Sequence, residues 1–156
     1  MQYANGSSRV EMVKIGDQKI VPLIIANSSN SPDGKWLAYA SEESGTWEIY
    51  VTSFPSPAGK LQLSQGGGTE PRWRGDGKEL FYINSKRMMT AVPISTMPDF
   101  SSGSPRELFA VPNRAPISST DLYSYDVTKD GRRFIVDKYQ KPSSLLPLDI
   151  ILHATK

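Results

Sequence analysis

The chain has 156 residues, 38% of them hydrophobic, with three Trp, seven Tyr and five Phe, so it is long enough to bury a core and too aromatic for a disordered segment. Its formal charge of +2, with no run of Lys and Arg, excludes a nucleic-acid-binding or membrane-binding patch. Cysteine is absent, which excludes disulfides and thiolate chemistry, and no stretch approaches the ~18 to 20 apolar residues of a membrane helix.

The first eight residues, Met-Gln-Tyr-Ala-Asn-Gly-Ser-Ser, lack the charged and apolar regions of a signal peptide. As given, the chain reads as soluble and cytoplasmic, with a periplasmic parent protein left open. Residues 9–15 and 19–25 form a hairpin pattern around Gly16-Asp17. A strand over 36–40 follows Asp33-Gly34, another over 47–51 follows Ser44-Gly45, and a third over 60–63 follows Pro57-Ala58-Gly59. The Gly66-Gly67-Gly68 loop then leads into Pro71-Arg72-Trp73, and strands over 80–83, 88–94 and 107–111 complete a second unit. The third unit has strands over 123–127, 134–138 and 148–152. Helical periodicity never holds for three turns, because twelve Gly and twelve Pro interrupt every long segment. Short, evenly spaced strands with such punctuation predict an all-β protein.

Three of the turns are copies of one another. Ser31-Pro32-Asp33-Gly34-Lys35-Trp36-Leu37-Ala38-Tyr39, Arg74-Gly75-Asp76-Gly77-Lys78-Glu79-Leu80-Phe81-Tyr82 and Thr128-Lys129-Asp130-Gly131-Arg132-Arg133-Phe134-Ile135-Val136 each join an Asp-Gly turn to an alternating apolar run. Asp-Gly between alternating residues is a strong hairpin signal, since Gly accepts the positive φ of the tight turn. Asp33, Asp76 and Asp130 are expected to accept hydrogen bonds from turn amides rather than to do chemistry. A strand-based period of roughly 40 to 50 residues is that of propeller blades.

These residues, with Glu48-Ile49-Tyr50-Val51 and the run Gly67-Gly68-Thr69-Glu70-Pro71-Arg72-Trp73-Arg74, carry a resemblance to the TolB-type WD40-like (PD40) β-propeller repeats. From about Glu11 onward the chain is similar to the propeller segments of soil-bacterial Ser/Thr kinases. The resemblance implies four-stranded antiparallel blades: closing strands over 1–25, blade 1 over 26–65, blade 2 over 66–112 and an incomplete blade 3 over 113–156. It is nearly silent on activity, because propellers host unrelated functions. The first unit departs from the pattern, with Asn30 where the others place Trp73 and Val127. There is also no Gly-rich nucleotide loop and no His-Arg-Asp catalytic loop.

Counting back from each Asp-Gly makes Ser29, Arg72 and Asp126 equivalent, and likewise Asn27, Glu70 and Ser124. In a propeller these positions lie on the innermost strands. Glu70, Arg72, Ser124 and Asp126 are therefore the candidate ligand contacts at the channel mouth, with an inter-blade ion pair between Arg72 and Asp126 as the competing reading. Other candidates are weaker. His153, the single histidine, has no second His or Cys with which to hold zinc. No Gly-x-Ser-x-Gly elbow accompanies it. Glu42, Glu43 and Glu48 read as a solvated acidic hairpin, the Gly66-Gly67-Gly68 loop as a flexible connector, and Trp36, Trp47 and Trp73 as packing between sheets. Of the Met88-Met89 pair, alternation turns one inward.

No catalytic residue, metal or cofactor is expected. The favoured function is a non-catalytic module binding a protein or small molecule at the axial channel mouth; the alternative is an ester, glycoside or peptide hydrolase whose acid/base site assembles at the channel of a dimer, where Glu70, Arg72, Asp126 and their neighbours would be duplicated. Three blades cannot close a ring, which takes about four to eight. Two copies related by a two-fold axis would make six, so a homodimer closed by exchanged N-terminal strands is expected.

Overall fold

The computed structural model describes residues 10–13, 20–23, 26–112 and 123–137. Among them it contains strands and turns, no helix, and only antiparallel pairing. β1 (Val10–Val13) and β2 (Ile20–Leu23) form a two-stranded sheet, as the hairpin pattern predicts. β3 (Ala26–Asn30), β4 (Trp36–Ser41), β5 (Glu48–Ser53) and β6 (Leu61–Gln62) form a four-stranded sheet in chain order. The next sheet runs β7 (Gly68–Trp73), β8 (Glu79–Asn84), β9 (Met88–Ser95), with β10 (Ser101–Ser102) and β11 (Arg106–Ala110) both on the far side of β9. β12 (Tyr125–Val127) pairs with β13 (Phe134–Val136). The expected strand over 148–152 and His153 lie outside the described residues.

Period-two alternation builds the stack. On β8, Leu80 and Tyr82 join a core with Ala38, Ala40, Ile49, Val51 and Leu63 of the preceding sheet. Phe81 and Ile83, which point the other way, join Met89, Ala91, Val111 and Tyr125, with Phe134 and Val136 packed against them. The middle sheet is thus apolar on both faces and lies between two neighbours. Met89 is fully buried and Met88 only partly so, as alternation requires. Trp73 lies in the first core, and Trp36 and Trp47 pack against it.

Two features depart from the sequence reading. The outer edge of the middle sheet is shared by two short strands where one was expected. β9 is eight residues long, and Pro105 has no N–H with which to continue a single partner strand along it. The weakly marked segment ending at Asn30 is a full strand: β3 pairs with β4 from Ala26 to Asn30 despite its polar sequence. Its backbone also gains a bond from the next sheet, where Trp73 Nε1 donates to Ser29 O at 3.0 Å.

Candidate functional site

The three Asp-Gly turns are built alike. Gly34, Gly77 and Gly131 have φ of 68°, 73° and 71°, and their amides donate to Ser31, Arg74 and Thr128 carbonyls. Each Asp accepts the amide two residues on, Lys35 at 3.1 Å, Lys78 at 3.0 Å and Arg132 at 3.1 Å. The Ser31 hydroxyl holds the Asp33 carboxyl below its ordinary value, and Thr128 does the same for Asp130. These aspartates are therefore committed to their turns.

The transferred register has a counterpart in the backbone. Asn27 and Glu70 share the left-handed conformation, at φ 56° and 58°, and the ladder is irregular at both. A left-handed residue re-aims its side chain out of the sheet. At position 70 this sends the carboxylate to the next unit: Glu70 Oε2 accepts the Ser124 amide at 2.5 Å and the Ser124 hydroxyl at 2.8 Å, all buried. The Tyr125 hydroxyl returns a bond to Glu70 O at 2.8 Å. Tyr123 ties all three units, donating to Ser28 O at 2.8 Å with Pro71 O at 3.2 Å. Burial pushes the Tyr123 hydroxyl up to about 12, with Glu70 adding and Arg72 opposing, and burial drives Tyr125 well above its ordinary value.

Glu70 and Ser124 are thus brought together, but against each other and away from solvent. Arg72 and Asp126 are also neighbours, with Arg72 Nε 3.6 Å from Asp126 Oδ1 and side-chain exposures of 31% and 66%. Arg72 Nε further donates to Tyr125 O at 3.1 Å, and its guanidinium lies 4.0 Å over the Tyr123 ring. The group is held from three directions while part of it stays open to solvent. Sequence reasoning missed Tyr123 and Tyr125. Their role depends on reach across a sheet gap, and spacing along the chain carries no sign of it.

Glu48 corrects the solvated-hairpin reading. It is 3% exposed, and its carboxylate accepts the Ser64 hydroxyl and the Gly66 and Gly67 amides, both at 2.9 Å. The Gly66-Gly67-Gly68 loop is accordingly pinned to the preceding sheet. Glu43, by contrast, is paired with Lys60 at 2.6 Å on the surface. Among the described residues, no group of three or more His, Cys, Asp or Glu is placed to hold a metal ion. Nor do they include a helix long and apolar enough to cross a membrane.

No family model and no curated protein matches the chain. Among solved structures it is similar to TolB from Acinetobacter baumannii, a β-propeller protein, with a TM-score of 0.53 and 18% identity over 84% of this chain. The match spans 31% of the TolB chain. Stacked antiparallel sheets, three of which turn their first hairpin at an Asp-Gly pair, together with this likeness give the chain a TolB-like propeller fold.

Proposed function

We propose that the protein is a non-catalytic binding module that takes an anionic group of a protein or small ligand on Arg72, where the inner strands converge. The observation behind this reading is the way Arg72 is presented. Tyr123, Tyr125 O and Asp126 fix the guanidinium, yet 31% of the side chain remains exposed. A planar guanidinium recognises carboxylate or phosphate in bidentate fashion, and one already oriented loses less freedom on binding. In this reading Glu70 and Ser124 hold the platform together, and Asp126 aims Arg72 and sets the charge a ligand must outcompete.

Thermal shift with inorganic phosphate, succinate and an acidic peptide tests the proposal. Wild type is expected to show saturable stabilisation by at least one of these, and Arg72→Gln to lose it. The unliganded midpoint is expected to fall, since the change gives up an exposed ion pair of about 0–1 kcal/mol, the contact with Tyr123 and the bond to Tyr125 O, so binding is read as the ligand-induced shift of each protein from its own midpoint. An unchanged response in Arg72→Gln would remove the proposal. Turnover of an ester, glycoside or peptide, lost in Asp126→Ala or Glu70→Ala but kept in Glu43→Ala, would replace it with the hydrolase.

We infer further that the chain acts as a homodimer forming a six-bladed ring. β1–β2 and β12–β13 are each two-stranded sheets, and in the proposed ring the β1–β2 hairpin of one copy would complete the β12–β13 blade of the other. A lone two-stranded sheet is marginal in water. Ile135 lies 76% exposed on β13, between Phe134 and Val136, which pack inward; this leaves an apolar residue on the face where a further blade would sit.

A further inference from the structure

A cavity separate from the Arg72 platform lies between the first two large sheets at the end away from the Asp-Gly turns. Its volume is about 400 Å³ and its wall is predominantly apolar, with Trp47, Gly67, Thr69, Ser85 and Arg87 among its lining residues. This lies near the lower end of the roughly 300–1,000 Å³ of small-ligand sites.

The rim is fixed on both sides. Glu48 holds the Gly66 and Gly67 amides from the first sheet, and Ser85 Oγ donates to Gly66 O from the second. Gly67 has φ 112°, and a Cβ placed on it would stand 2.7 Å from Ser85 Cβ, so only glycine lets the two loops come this close. In the same turn as Ser85, Arg87 sits in the left-handed region at φ 62°, with Nη2 donating to Pro112 O. Its Nε is buried and donates to no acceptor among the described residues. The nearby carboxylates are engaged elsewhere: Glu48 with the glycine loop, Glu107 with Asn84 and Lys86. Buried guanidinium N–H groups are normally paired. Here the positive charge lies in the lining of a mostly apolar cavity.

We propose that this cavity binds a carboxylate carried on a small apolar group, either a free apolar acid or the C-terminal residue of a peptide. The carboxylate pairs with Arg87, and the apolar part lies along Trp47. The complementarity is that of a guanidinium fork to a carboxylate at the wall of an open, mostly apolar cleft.

The test is a titration of the wild-type chain with N-acetylphenylalanine, its neutral amide and hexanoate. It is followed through the Trp47 indole N–H resonance, identified by its loss in Trp47→Phe. The acid is expected to give a saturable shift, with the amide at least about tenfold weaker because it lacks the charge-assisted pair. Hexanoate binding as tightly as N-acetylphenylalanine assigns the site to free acids, and weaker hexanoate binding assigns it to peptide termini. Arg87→Gln should weaken the acid to the level of the amide, whereas Arg72→Gln should leave the shift intact, which separates this site from the Arg72 platform. No saturation, equal binding of acid and amide, or unchanged acid affinity in Arg87→Gln overturns the proposal. Should Arg87→Gln fail to fold through loss of the Pro112 bond, the acid–amide comparison on wild type decides alone.

Discussion

Glu70 carries two structural roles in one residue. Its left-handed backbone, which costs a non-glycine residue about 1–2 kcal/mol, is what aims its carboxylate at Ser124 in the next unit. Glu70→Ala removes the acceptor from two buried Ser124 donors and keeps the unfavourable backbone. Charge-assisted bonds contribute about 1.5–3 kcal/mol each, so a loss of about 3 kcal/mol or more is expected. Glu70→Gly loses the same bonds but rests easily at φ 58°, so it should be more stable than Glu70→Ala by about 1 kcal/mol. Urea unfolding midpoints of the three proteins check the order. If glycine proves no better than alanine, the left-handed conformation is not a significant cost at this position.

At the scale of the element, the three Asp-Gly hairpins are equivalent in conformation but not in surroundings. A Cβ at Gly34 would meet nothing within 4 Å, so Gly34→Ala should cost only the positive φ, about 1–2 kcal/mol. At Gly131 the same Cβ would stand 3.0 Å from Arg74 Cδ and 3.2 Å from Phe81 Cζ. Gly131→Ala is therefore expected to cost more, since Phe81 is core and cannot yield freely. Thermal midpoints decide it, and equal losses at the two sites would show that the third turn is not pressed against the middle sheet. The turns themselves were legible because glycine's φ and aspartate's hydrogen bond are local. Their different tolerance was not, because it depends on which neighbour the stacking brings near.

For the whole molecule, the proposed ring makes a sharp demand on the N-terminal hairpin. Light scattering of the full chain at micromolar concentration is expected to give twice its 17.3 kDa. Deleting residues 1–25 should abolish the dimer or cause aggregation, because it removes β1 and β2 and leaves open edges. Ile135→Asp should weaken the dimer while leaving each chain folded, as Ile135 contributes to neither core. A full chain of monomeric mass would end the ring. A truncated chain that stays a soluble dimer would end the exchange of strands.

The all-β architecture, the positions of the hairpins and the pairing of equivalent residues could be read from the sequence alone. They rest on period-two alternation and on the backbone preferences of Asp-Gly, both of which act within a few residues. The same register made Glu70 equivalent to Ser124 and Arg72 to Asp126, and offered an ion pair between the latter two. Only the tertiary structure decided what those neighbours do: sheet stacking buries Glu70 and Ser124 as a lock, and leaves Arg72 braced on Tyr123 and open to solvent. It also turned Glu48 from an apparent surface acid into the anchor of the glycine loop. The reason is physical. Whether a polar side chain is solvated or spent depends on groups 15 to 95 residues away in the chain, brought close only when the apolar faces of successive sheets meet.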